Sequence, residues 1–318
     1  MLPTMTLVLP TVLIAAALAA FPGGDDEATP GTWNFRKTDK PVKVTLLAGS
    51  VGAYAKGNYA KRLATVCKNV ELKNISKTGL GAWPLKQHFK KQVLENRYLN
   101  VRSRDDEQWL IIHSGLNSIG TPKATNHHLK NIVVHAKRAG MKVVMLSPTP
   151  WGSAKSSNFK GLDGLQRRNA TQLVTDFIMG KLTATEALGA YADKRPDGAE
   201  ADWVDLETPD VRVDLYDSAL RDTEVETRDV EAMRALLLKD RKWRDSHAAM
   251  DEDLREAWLT SDAIRAAEVP QWFMKPELRA FDHIHPNSDG HLIIAETVCP
   301  SAPESWGCDC AALAATSE

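Results

Sequence analysis

Residues 42–52 read Val-Lys-Val-Thr-Leu-Leu-Ala-Gly-Ser-Val-Gly. A mostly apolar run of strand length ends at two glycines that flank Ser50. A strand buried on both faces reads this way. The pattern recurs at Val70–Ile75, Gln108–His113, Val143–Ser147 and Trp203–Leu206. Helical periods lie between these runs. Leu85, Phe89 and Val93 repeat every four residues. Leu129, Ile132, Val133 and Ala136 form a stripe that stops at Gly140, and Leu173, Val174, Phe177 and Ile178 form another before Gly180. Strand–helix alternation of this length predicts an α/β domain: a doubly wound parallel sheet of five strands, covered by helices on both faces as three α/β/α layers.

The rhythm breaks after Thr208. Residues 209–281 are highly charged and mostly helical in pattern, as at Val230, Met233, Leu236 and Leu237, and read as a helical insertion or cap. Trp258, Trp272, Phe273 and Met274 either line an apolar face for a ligand or form the insertion's own core. The second is the commoner use of such residues. A last helix is expected from about Ser288 to Val298.

Ahead of the sheet, Leu7–Ala20 is apolar, broken by Pro10 and Thr11, and short for a bilayer span. Ala17 and Ala19 give a small-x-small cleavage site, so residues 1–19 read as an export signal, although no Lys or Arg precedes the apolar run. No stable membrane span is expected after cleavage, and the mature chain is expected outside the cytoplasm, secreted or periplasmic. Residues 20–40 read as a linker and 301–318 as a cysteine-containing tail. Cys67, Cys299, Cys308 and Cys310 are an even set that suits two disulfides in an oxidising compartment. Cys308 and Cys310 lie too close in sequence to favour pairing with each other, so one is expected to reach Cys299 and the other Cys67. With 40 basic and 41 acidic residues, the net charge of -1 offers no electrostatic reason to propose nucleic acid as a partner.

In an open α/β sheet, ligands bind beyond the carboxyl ends of the strands. Ser50 follows the first strand, where helix N-terminal N–H groups favour developing negative charge. A phosphate loop does not fit, because Asn58 and Tyr59 follow Gly57 where Lys and Ser/Thr are needed. Thr78–Pro84 follows the second strand. Its Gly79 and Gly81 offer backbone N–H groups, and Pro84 suits the first position of a helix. The third strand runs into His113-Ser114-Gly115-Leu116-Asn117, where the Asn117 amide is a donor. Near the C-terminus, Asp282-His283-Ile284-His285-Pro286-Asn287 places an acid three residues before a His, so one loop carries a base and its orienting carboxylate. Asn287 or Ser288 suits a helix cap. Asp282, His283, His285 and His291 are metal-ligand types, but their spacing matches no zinc motif, and no metal is expected. His283 and His291 are read as surface or capping residues.

Taken together, the four segments resemble the blocks of the SGNH (GDSL-like) hydrolase superfamily, which places Ser, Gly, Asn and His in this chain order. They are Ala48-Gly49-Ser50, the Gly79/Gly81 loop, Gly115-Leu116-Asn117, and Asp282–His285, the last close to D-x-x-H-P-N-x-x-G with Gly290 in place. Two positions depart from the family pattern: Gly49 stands where Asp is usual, and Ser118 follows the Asn where Asp is frequent. The resemblance covers about residues 41–300 apart from the insertion. It implies a flavodoxin-like three-layer fold and a serine esterase needing no metal or organic cofactor. Ser50 would be the nucleophile, His285 the base and Asp282 its orienting acid. Ser50, Asn117 and either Gly79 or Gly81 would form the oxyanion hole. An exported member would act on O-acetylated carbohydrate or on lipid esters. The same residues would serve an O-acyltransferase acting on extracellular polysaccharide, and the missing Asp at position 49 keeps a non-catalytic carbohydrate-binding protein open.

Overall fold

A computed structural model describes residues 40–54, 56–96, 106–153, 159, 161–194, 206–222, 229–268 and 272–316. The expected export signal, nearly all of the linker, and Trp203–Asp205 lie outside the described residues. Five parallel strands form one sheet: β1 (Val42–Ala48), β2 (Val70–Asn74), β3 (Glu107–His113), β4 (Lys142–Leu146) and β5 (Val211–Val213). Their order is β2-β1-β3-β4-β5, the doubly wound flavodoxin-like arrangement. The strands that lead to Ser50 and Asn117, β1 and β3, are interior to the sheet, and Ala48 of β1 stands level with His113 of β3.

The period of two within the strands builds both cores. Leu47, Leu110, Ile112, Val143 and Met145 point to one face, against α3 (Ala82–Phe89), α4 (Pro122–Arg138) and α5 (Gly161–Ile178). Val44, Leu46, Trp109, Ile111, Val144 and Leu146 point to the other, against α2 (Tyr59–Val66) and α10 (Ser288–Val298). Leu46 and Leu47 are adjacent, both fully buried, and serve opposite layers. Each contributes roughly 2 kcal/mol through its burial. A four-residue helix, α1 (Ser50–Ala53), leaves β1, and α6 (Ala184–Leu188) follows α5.

Of the apolar run Trp203–Leu206, read as a strand, only Leu206 lies within the described residues, and the fifth strand of the sheet lies beyond it. Leu206 sits in a short 3-10 turn, and β5 is Val211–Val213, paired with Val144–Leu146. It is an edge strand, half-buried, with Arg212 between two valines, so it lacks the continuous apolar run of the central strands. The sheet therefore extends into the stretch read as insertion. Beyond it, Arg221–Asp222 (β6) and Phe273–Met274 (β7) form a small antiparallel pair.

The insertion proper comprises α7 (Val230–Lys239), α8 (Arg241–His247) and α9 (Glu252–Glu268). Its own core is Met233, Leu237, Trp243, Leu259, Ala263 and Ala266, and it leans on Leu165 of α5. The aromatic residues expected to fill that core do not. Phe273 packs into the layer of α3–α5, Trp258 is 41% exposed, and Trp272 packs against Tyr216 under Arg221. Trp243 takes the central place, with its Nε1 donating to Asp262 at 2.9 Å.

The tail is stapled to the sheet domain by Cys67–Cys308 and Cys299–Cys310, the pairing type expected from the sequence. Trp306 is fully buried and meets Trp109 edge-on. Among the described residues no helix is long and apolar enough to cross a membrane.

Candidate active site

Ser50 begins α1 directly beyond β1, and His285 lies in the loop before α10. The fold brings them together across 235 positions of sequence: His285 Nε2 is 2.7 Å from Ser50 Oγ. On the other edge of the ring, Nδ1 lies 2.5 Å from Asp282 Oδ2. Hydroxyl, imidazole and carboxylate thus form one hydrogen-bonded chain.

The loop is built to hold its acid charged. Partial burial works to raise the Asp282 pKa. Hydrogen bonds from the His285 ring and from the backbone N–H groups of His285 and Ile284 outweigh it and bring the value to about 2. The other Asp282 oxygen is occupied by those two N–H groups at 2.9 and 3.0 Å, which fixes the carboxylate plane. His283 has φ of 62°, a left-handed conformation that costs a non-glycine residue on the order of 1 kcal/mol. Its carbonyl accepts from Gly152 N at 2.6 Å, and Arg279 Nη1 donates to Gly152 O at 3.1 Å. The loop after β4 therefore braces the loop that carries Asp282 and His285. Asn287 caps α10 by accepting from Gly290 N, as its position in the sequence implied.

Asn117 lies in a 3-10 turn (Leu116–Ser118) entered through Gly115, whose φ of 128° favours glycine. One Asn117 Nδ2 hydrogen is held by the Leu80 carbonyl at 3.2 Å. An amide nitrogen carries two hydrogens, so the other is available to a ligand. The two departures from the family blocks have local reasons. A Cβ at position 49 would stand 3.0 Å from Asn117 Nδ2, so Gly49 gives the amide its room. Ser118 Oγ accepts from Ala82 N at 3.0 Å and from Thr125 Oγ1 at 2.9 Å, tying the Asn117 turn to the start of α3. Gly81 is the N-cap of α3, so Pro84 is its third residue and not its first. Gly79 holds the positive-φ turn just before it.

A small cavity of about 30 Å³ opens beside Ser50. Ser50, Gly49 and Asn117 line it together with Val51, Leu116, Pro148 and Ile284. Neither Gly79 nor Gly81 is among its lining residues.

Three residues outside the expected set belong to this region. His113 lines the same cavity and is almost wholly buried. Its Nδ1 meets the Tyr59 hydroxyl at 3.0 Å. Behind them His291 is fully buried, stacked on Tyr54 and Tyr59. His291 is thus neither a surface nor a capping residue. Burial lowers the pKa of His113 to about 4. Burial, then the neighbouring His113, Arg62 and His285, lower that of His291 to about 3. A histidine closing an apolar strand, as in Trp-Leu-Ile-Ile-His, is the sequence signal for His113. Tyr59 and His291 carry none. Among the described residues, the one group whose ligand atoms gather at metal-binding distance is Cys67, Cys299 and Cys308, and those sulfurs are in disulfides.

No family model matches this chain, and no curated protein matches it. Solved structures do. An acetyl xylan esterase, AlAXEase, is 12% identical over 82% of this chain and 100% of its own, with a TM-score of 0.44. A member of the lipolytic protein G-D-S-L family from Veillonella parvula DSM 2008 is 13% identical over 81% and 96%, with a TM-score of 0.43. A catalytic mutant of Axe2, an acetylxylan esterase from Geobacillus stearothermophilus, is 10% identical over 84% and 95%, with a TM-score of 0.41.

Proposed function

We infer that this chain is an exported serine esterase of the SGNH (GDSL-like) type that cleaves short-chain carboxylic esters, with O-acylated carbohydrate as the substrate class. The observation that carries the reading is the unbroken chain Ser50–His285–Asp282, with contacts of 2.7 and 2.5 Å. Asp282 holds the proton of His285 on Nδ1, which leaves Nε2 to accept from Ser50. Ser50 Oγ attacks the ester carbonyl as Nε2 takes its proton. The same proton then goes to the leaving alcohol, and water repeats the sequence to release the acid. The oxyanion is met by the Ser50 N–H at the start of α1, the free Asn117 amide hydrogen, and a backbone N–H of the Gly79–Gly81 loop.

The small cavity favours a short acyl group over a fatty chain. The alcohol side is open. Trp83, in the first turn of α3, is 56% exposed, and Phe281, next to Asp282, is 80% exposed. Exposed aromatic faces of this kind suit the apolar face of a sugar ring. The two disulfides suit an oxidising compartment and so support export. A panel of p-nitrophenyl esters from acetate to palmitate tests the reading. Turnover of acetate, falling steeply with chain length and absent in Ser50→Ala, is the expected result. Absence of acetate turnover in the folded protein contradicts it.

A further inference from the structure

The cavity beside Ser50 carries a polar group that the triad does not use. His113 is 4% exposed and is one of the residues that line the cavity. Nδ1 faces the Tyr59 hydroxyl at 3.0 Å, while Nε2 has no hydrogen-bond partner among the described residues. Tyr59 is itself wholly buried, and Nδ1 of His113 is the hydrogen-bond partner its hydroxyl has there. A buried O–H without an acceptor costs about 1–3 kcal/mol. The hydroxyl therefore donates, Nδ1 accepts, and the ring proton sits on Nε2. Burial raises the phenol's pKa and lowers the imidazole's, so both stay neutral near pH 7. His113 thus brings a fixed N–H donor to the wall of this cavity, which it shares with Ser114 and the apolar Val51, Leu116, Pro148 and Ile284.

The cavity volume of about 30 Å³ decides which end of the substrate meets that donor. A space of roughly one water's share of liquid accepts a few atoms and not a sugar. The acyl group enters and the alcohol stays outside. A plain alkyl acyl group would cover Nε2–H and leave it without an acceptor. An oxygen on the carbon next to the ester carbonyl would supply one at no cost in size.

We propose that His113 makes this enzyme selective for 2-hydroxyacyl esters, of which glycolyl is the smallest, over alkanoyl esters of the same size. The proposal rests on the esterase reading above and names the acyl class for the same site. Hydroxyl and methyl are near-isosteres, so glycolate and propionate esters isolate the hydrogen bond. Sites that hydrogen-bond a substrate hydroxyl discriminate strongly against the analogue lacking it.

The test compares kcat/KM for phenyl acetate, phenyl glycolate and phenyl propionate, each divided by its rate of hydrolysis by hydroxide. The wild-type chain is expected to favour glycolate over propionate by at least about tenfold. His113→Leu should erase that ratio. His113→Gln, which keeps an amide N–H near the Nε2 position, should retain part of it and serves also if the Leu variant does not fold. Equal rates for glycolate and propionate in wild type, with acetate hydrolysed, overturn the proposal and leave the esterase reading intact. A glycolate preference that survives unchanged in folded His113→Leu overturns the role of His113. Failure to hydrolyse any of the three esters brings down the esterase reading, and this proposal with it.

Discussion

His285 and His113 both reach the surroundings of Ser50, yet the fold gives the same ring opposite surroundings. His285 sits in a partly open loop with a carboxylate at Nδ1. In the proposed mechanism that partner orients the ring so that Nε2 takes the proton of Ser50 and returns it. His113 sits at the end of a sheet strand, almost wholly buried, with a neutral phenol at Nδ1. That partner fixes the tautomer but gives no support to a positive charge, so the ring stays a donor and not a base. The partner at Nδ1 and the access of water, not the residue type, decide the chemistry.

The largest way to break the comparison is Ser50→Ala. Ester turnover should fall about 10⁴-fold or more, with unchanged circular dichroism, because no acyl-enzyme can form without the hydroxyl. Asp282→Asn tests the partner directly. It should lower kcat by roughly 10³–10⁴-fold with little change in melting temperature, since an amide leaves His285 in the wrong tautomer.

Acid stability sharpens the other side. The unfolded chain protonates His113 and His291 near the ordinary value of 6.5, whereas the folded chain does so only near 4 and 3. Both folded values are depressed, so their contribution is full above about pH 6.5 and is lost as pH falls toward 4 and below. Urea titrations at pH 7 and pH 4.5 should differ by on the order of 5 kcal/mol. Asp282 adds a loss of the same sign in a lower window, between its ordinary value of 3.8 and its folded value of about 2. A flat profile between pH 7 and 4.5 contradicts the buried neutral imidazoles.

Asn117→Ala should cost about 10²-fold in kcat, close to 3 kcal/mol, with KM nearly unchanged. The smallest expected effect is at His291. Neither of its ring nitrogens meets a hydrogen-bond partner among the described residues. His291→Phe keeps the stacking on Tyr54 and Tyr59 and removes two polar atoms, so stability at pH 7 should rise by roughly 1 kcal/mol and its acid dependence should shrink.

How legible these features were in the sequence follows from what each one needs. The central strands announce themselves because both faces are buried and the runs are continuously apolar. Val211–Val213 does not, because an edge strand with one polar face resembles the charged stretch around it. The placement of Ser50, Asn117, Asp282 and His285 at strand ends and in one loop was readable because short local patterns mark those ends and one loop holds two of them. Tyr59, His113 and His291 come from α2, β3 and α10, and nothing local links them. Only the alternation of β3, which puts His113 on the Trp109 and Ile111 face, brings them together. The insertion misled for the opposite reason: its aromatic residues are conspicuous in sequence, yet Trp243 makes its core while Trp258 faces solvent.

The measurement closest to the central claim is labelling with a fluorophosphonate probe, followed by mapping of the modified peptide by mass spectrometry. The expected result is a single adduct on Ser50 that is lost in His285→Ala and in Ser50→Ala. Well-folded protein that takes up no probe, or carries it on another residue with Ser50 untouched, would show that the hydrogen-bonded chain at the sheet's rim does not make a nucleophile.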